Sequence, residues 1–251
     1  MFCQKICIYQ LFFVLLQLEM KEKENIGALF DRIARRYDRF NHLLSMGIDK
    51  CWRRRVVRGM KSYESVLDVA VGTGDLAIEM LRRGKAQQVT GIDLSDEMMR
   101  IAQHKALRAN VNKRLTLQHA NAQAMPYAND TFDAVTCSFG VRNFANLTEG
   151  LNEMRRVLRP GGKLIILEFS YPVSGPLRMG YDLYFGHLMP LIGQMLIGDR
   201  KPFLYFRESV RNFIWGEELC CKLREAGFEN VTFEPLSFSI AMNYQANKPI
   251  A

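Results

Sequence analysis

Asp68-Val69-Ala70-Val71-Gly72-Thr73-Gly74-Asp75-Leu76-Ala77 decides the fold. Residues 65–71 form an apolar run of strand length, and 75–83 carry apolar residues at helical spacing. The glycines therefore occupy a strand-to-helix turn. Their G-x-G-x-x-A pattern lets a ligand approach the backbone closely. Outward from this turn, strands are expected over 88–92, 114–118, 132–137 and 163–169, with helices over 95–109 and 147–158 between them. Pro160-Gly161-Gly162 marks a strong turn before the fifth strand, which is apolar enough to be central. Near the end a helix over 217–226 stops at Gly227, and 231–236 with 240–246 read as a hairpin. Strands alternating with helices predict an α/β fold with a mostly parallel sheet.

The ligand's class follows from charge. Asp93 closes the second strand 19 residues after Gly74, where a carboxylate grips ribose hydroxyls. A pyrophosphate would sit on the N-terminus of the first helix and use its dipole. Asp75 occupies that end and Asp68 precedes the loop, so two carboxylates would repel it. They suit S-adenosylmethionine, which carries a sulfonium and an ammonium and no phosphate.

The chain has 251 residues, 48% of them hydrophobic, and a formal charge of +8. This composition excludes a collagen, a low-complexity polymer and an extended disordered chain. The positive charge points to an anionic partner, nucleic acid or an acidic membrane surface. The six Cys show no C-x-x-C pair, which argues for reduced thiols rather than a disulfide framework or zinc, and no metal site is expected. Residues 6–18 are apolar but too short to span a bilayer. Met20 opens a polar segment and reads as the natural start, with 1–19 a non-native or disordered extension. The remaining divisions are basic helices over 20–60, a cofactor-binding core over 61–170, an aromatic and Met-rich helical cap over 171–216, and a helix with hairpin over 217–251.

Three more stretches carry a resemblance. Asn121-Ala122-Gln123-Ala124-Met125-Pro126-Tyr127 looks like the loop flanking adenine in class I methyltransferases. Tyr37-Asp38-Arg39-Phe40-Asn41 with Ser45-Met46-Gly47 and Trp52, and Arg156–Gly162 through Glu168-Phe169-Ser170, resemble the two signatures of the ubiquinone/menaquinone biosynthesis C-methyltransferases. Ser138-Phe139-Gly140-Val141-Arg142-Asn143 matches that family's segment after the fourth strand. The likeness covers about residues 25–245. Asp49 stands where the family usually has His, Arg or Gln, Val71 where Gly is common, and Arg159 where Lys is common.

The resemblance implies a class I methyltransferase: a Rossmann-like seven-stranded sheet with N-terminal helices and a helical cap. Its implied cofactor is S-adenosylmethionine, held by Gly72, Thr73, Gly74, Asp93, Asn121, Ala122 and Ser138. The implied reaction is C-methylation of a prenylated quinol, demethylmenaquinol to menaquinol, with the ubiquinone-pathway methoxy-benzoquinol as a close variant. Arg142 and Asn143 are the expected catalytic residues, stabilising a developing phenolate, and Tyr37 and Tyr205 the expected substrate contacts. The Asn/Asp-Pro-Pro-aromatic clamp of amine-methylating enzymes is missing after the fourth strand. Cys137 lacks an adjacent Pro and reads as a buried thiol rather than a nucleophile. The rival from another class is an RNA methyltransferase or RNA-binding module, motivated by charge and opposed by the missing clamp and apolar cap. The expected partners are a polyprenyl quinol and an acidic membrane surface, without nucleic acid, in a form compatible with a homodimer. The expected location is the cytoplasm, at the inner face of the membrane.

Overall fold

The computed structural model describes residues 31, 47–171, 175–184, 188 and 201–250. The chain order is α1 (Ile48–Gly59), β1 (Tyr63–Val69), α2 (Asp75–Arg82), β2 (Ala86–Asp93), α3 (Asp96–Arg108), β3 (Leu115–His119) and β4 (Phe132–Ser138). It continues through α4 (Leu147–Val157), β5 (Leu158–Phe169), α5 (Gly175–Leu183), α6 (Lys201–Asn212), α7 (Glu217–Glu225), β6 (Glu229–Leu236) and β7 (Ala241–Asn247). One seven-stranded sheet runs β3-β2-β1-β4-β5-β7-β6. Strands β1 to β5 are parallel, and β7 inserts antiparallel between β5 and β6. The strand order reverses between β1 and β4, the switch point where open α/β sheets bind ligands.

Alternation along the central strands builds two cores. Val66 and Ile165 face one layer, where Trp52 and Val56 of α1, Leu76 and Met80 of α2 and Ala106 of α3 pack. Leu67, Val69 and Ile166 face the other, against Leu151 and Met154 of α4 and Leu219 and Leu223 of α7. The period of two, buried on both faces, is what a doubly covered parallel sheet requires. α3 starts at Ser95, whose Oγ accepts from Met98 N at 3.1 Å and donates to Asp31 Oδ1 at 2.5 Å. Such a cap contributes about 1 kcal/mol. Here it also ties Asp31 to the end of β2.

One local expectation changes. Pro160-Gly161-Gly162 does not precede β5 but lies inside it as a bulge, where pairing jumps from Phe132–Leu158 to Ala134–Lys163. Gly161 N donates to Lys248 O, and Lys248 N donates to Gly162 O, both at 3.0 Å. The tail after β7 thus satisfies the bulged backbone, a long-range pairing that local turn chemistry does not announce.

Candidate active site

A cavity of about 330 Å³ opens at the carboxyl ends of β1, β2 and β4. Its floor is the glycine turn. Val71 N donates to Ile92 O at 2.9 Å and Gly72 N to Asp93 Oδ2 at 2.8 Å, which hangs the turn on the end of β2. Gly72 has φ +53°, and a Cβ there would meet no atom within 4 Å, so open space lies above it. Gly74 has φ +78°, and its Cβ would meet Ala102 Cβ at 2.9 Å. It does not line the cavity; it lets α2 lie against α3. Val71 lines the cavity and fills the space that a side chain at Gly91 would take, since a Cβ there would sit 2.8 Å from Val71 Cγ2.

Asp93 accepts from Gly72 N through Oδ2 and from Ser95 N through Oδ1, at 2.9 Å in the second case. Each oxygen keeps a further lone pair for a hydroxyl donor. Burial pushes its carboxyl above the usual range, against the pull of the backbone donors. Asn121, Ala122 and Gln123 form the wall beyond β3, and Asn121 Oδ1 accepts from Gln123 N at 2.9 Å. Thr73 and Ser138 also line the cavity. The structure thus brings Gly72, Thr73, Asp93, Asn121, Ala122 and Ser138 to one space.

The acidic end is an ion network. Asp75, at the start of α2, pairs with Lys105, which also donates to Thr73 Oγ1 at 3.2 Å. Arg53 of α1 pairs with the buried Asp49 and lies 3.9 Å from Asp75. Its guanidinium sits 5.0 Å above the Phe139 ring. Arg53 is 7% exposed and lines the cavity, and its buried Nε has no hydrogen-bond partner among the described residues. Beneath this wall Asp68 is fully buried, accepting from Thr136 Oγ1 at 2.6 Å. Burial pushes its carboxyl up to about 7, although Thr136 and the Arg53 charge oppose that shift.

The opposite wall follows β4. Phe139 adopts φ +60° and donates its N–H to Leu167 O at 2.7 Å. Its ring stacks on Phe169 at 4.3 Å, while Trp52 meets Phe169 edge-on at 5.9 Å. Gly140 is required because a Cβ would fall 2.6 Å from Ala70 Cβ. Asn143 lines the cavity, and its Oδ1 accepts from the Tyr205 hydroxyl of α6 at 2.9 Å. Two of the expected residues therefore meet across the cap. Arg142 lies behind this wall rather than in the lining. Its Nη1 donates to Phe139 O at 2.5 Å and to the buried Glu168 Oε1 at 2.6 Å, and its guanidinium packs 5.5 Å from the Phe169 and Phe206 rings. Tyr37 lies outside the described residues. The Cys137 thiol is buried in β4, and burial, with Glu168 adding to it, holds its pKa well above the ordinary value, so it is a poor nucleophile.

Sequence reading missed Arg53 as a lining residue, counting it only among basic helix residues. The available signal was Asp49, whose unusual acid stands four residues before it on the same helix face. The cavity's donors and acceptors fit S-adenosylmethionine. Asp93 presents carboxylate acceptors of the kind that ribose hydroxyls need, and Asp75 stands at the α2 N-terminus, where a pyrophosphate would otherwise sit.

Residues 17–248 match the family described as the ubiE/COQ5 methyltransferase family. A demethylmenaquinone methyltransferase of Porphyromonas gingivalis is 42% identical over 233 residues, covering 92% of this chain and 95% of that protein. A ubiquinone/menaquinone biosynthesis C-methyltransferase of Geotalea daltonii is 38% identical over 228 residues, covering 90% and 97%. A SAM-dependent methyltransferase from Thermotoga maritima shares the fold, with TM-score 0.62 at 18% identity, over 88% of this chain and 99% of that one.

Proposed function

Because the chain belongs to the ubiE/COQ5 methyltransferase family, we propose that it methylates a ring carbon of a prenylated quinol, converting demethylmenaquinol to menaquinol with S-adenosylmethionine as donor. The methoxy-benzoquinol of ubiquinone synthesis is a close variant of the same substrate class. The observation that carries this reading is one cavity whose polar wall ends at Asn143, tethered to Tyr205 of the cap, opposite the Asp93 and glycine-turn wall.

When bound, S-adenosylmethionine supplies an electrophilic methyl group on a sulfonium. Asp93 takes the ribose hydroxyls, Asn121 and Ala122 the adenine edge, and Thr73 with Ser138 offers short hydroxyls. Asp75 faces the ammonium. Arg53, with its unpartnered buried Nε, receives the α-carboxylate.

On the acceptor side, loss of a phenolic proton raises electron density at the adjacent ring carbon. Asn143 has its Oδ1 occupied by Tyr205, so its Nδ2 is the donor that stabilises the quinol oxygen as charge grows there. Arg142 acts through the loop: its bonds to Phe139 O and Glu168 fix the turn that carries Asn143. It is a positioning residue. Arg142 is too weak an acid to serve as a base, and the proton leaves through water. Tyr37 is a further substrate contact from the first signature. Phe139 and the aromatic cap suit a flat ring and an apolar tail.

The substrate's tail implies work at the cytoplasmic face of the membrane by peripheral contact. Among the described residues no helix is long and apolar enough to cross a bilayer. Quinone profiling by mass spectrometry in cells lacking the gene tests the reading. Accumulated demethylmenaquinone is expected, and an unchanged quinone pool would refute it.

A further inference from the structure

A second cavity, about 590 Å³, adjoins the first: Arg53 and Asp75 line both, while Lys50, Arg54, Arg82 and Arg108 belong to the second alone and have no role in the reaction above. It is a groove floored by α2, which turns Asp75, Ile78, Glu79 and Arg82 to it. These are the i, i+3, i+4 and i+7 positions of one face, so the groove runs about 10 Å along the helix. Lys50, Arg53 and Arg54 enter from α1, and Lys105 and Arg108 from α3. Six cations thus surround two carboxylates.

Those carboxylates are already matched inside the protein, Asp75 by Lys105 and Glu79 by Arg83. Arg53 is matched by Asp49. Lys50, Arg54, Arg82 and Arg108 have no acidic partner among the described residues, and all four are exposed. The helix dipole accounts for Arg82 and Arg108, which stand at or near the carboxyl ends of α2 and α3. It does not account for Lys50, which stands in the first turn of α1, where the dipole repels a cation. Exposed cations from three helices converge on one groove, and of these Lys50 and Arg54 of α1 are balanced neither by a carboxylate nor by a helix dipole. Such a site takes a phosphate-bearing group, whose oxygens accept from several guanidinium and ammonium donors together.

We propose that this groove binds the phosphate headgroups of anionic phospholipids, making α1, α2 and α3 the face that rests on the membrane. The phosphate chemistry stands on the groove alone. The choice of lipid over soluble phosphate rests on the quinol reading, because a polyprenyl substrate is delivered by the bilayer.

The test is sedimentation of the full chain with vesicles of phosphatidylcholine, with and without phosphatidylglycerol. Binding should require phosphatidylglycerol and weaken as salt rises. The combined variant Arg54→Gln, Arg82→Gln and Arg108→Gln should bind about a hundredfold more weakly, at about fivefold per cation. The combined Arg-to-Lys variant at the same positions should bind as the wild type does. S-adenosylhomocysteine affinity should be unchanged in both, which shows that they fold. Equal vesicle binding by the Gln variant would overturn the proposal, as would binding to neutral vesicles. So would a groove that takes inorganic pyrophosphate or an RNA oligonucleotide in preference to the vesicles. These vesicles hold no quinol, so a failure of the methyl-transfer reading would appear only in the product assay and leave this result standing.

Discussion

Arg53→Lys should weaken S-adenosylhomocysteine binding about ten- to a hundredfold while leaving 5′-methylthioadenosine binding unchanged. The two ligands share the nucleoside and thioether and differ in the amino-acid end, so their comparison isolates what Arg53 is proposed to hold. A charge-assisted hydrogen bond of about 1.5–3 kcal/mol sets that range. Lys is the informative change because Asp49 is 1% exposed and paired with Arg53. Truncating Arg53 to Met would leave that carboxylate buried and alone, at about 3–5 kcal/mol, and confuse binding with folding. A Lys ammonium keeps Asp49 neutralised. It lacks the planar fork that lets Arg53 pair with Asp49, cover the Phe139 ring and still present Nε. Titration calorimetry of both ligands on both proteins, with melting temperatures alongside, reads the difference. Equal losses for the two ligands would make Arg53 structural only, and undiminished S-adenosylhomocysteine affinity would remove it from the site.

Asp68 should make the protein less stable as pH rises. Burial holds its carboxyl near about 7 against an ordinary 3.8, so the native state binds more protons than the unfolded chain across that window. Its contribution to stability should fall by about 4 kcal/mol between those pH values, and Asp68→Asn should flatten the decline in urea titrations across that window, leaving the part that the raised Asp93 carboxyl adds. Gly74→Ala should destabilise by about 3 kcal/mol, because it combines φ +78° with a Cβ 2.9 Å from Ala102 Cβ, and Gly72→Ala, strained only by its φ, should lower the melting temperature less. Arg142→Lys should lower turnover, cofactor affinity and melting temperature together, since one ammonium replaces the fork joining Phe139 O to Glu168. A fall in turnover alone would instead put Arg142 in contact with the quinol.

The centre of the sheet was legible because β1, β4 and β5 carry mainly apolar stretches buried on both faces. The edge strands β3 and β6 are largely exposed and were marked by their place in the alternation and by flanking turns. The strand expected over 65–71 is β1 at Tyr63–Val69, and the carboxylate closing β2 stands where a 19-residue spacing from Gly74 put it. Local sequence also announced the glycine turn and the Ser138 segment. What it could not announce depends on distant partners. The Pro160-Gly161-Gly162 bulge is satisfied by Lys248, Arg142 is fixed by Glu168 26 positions away, and Asn143 meets Tyr205 62 positions away. Arg53 looked like one more cation on a basic helix until α1 packed it against the turn. The same packing separates Arg53 from Lys50 and Arg54, which face only the groove.

The most direct test of the central claim incubates the purified full chain with methyl-labelled S-adenosylmethionine and reduced demethylmenaquinone in detergent, then locates the label by mass spectrometry and NMR. The account predicts one labelled methyl on the quinone ring carbon, lost when Asn143 is replaced by Ala in a protein that still binds S-adenosylhomocysteine. Label on a quinol oxygen, or none on the quinone while an RNA acceptor is methylated, would contradict it.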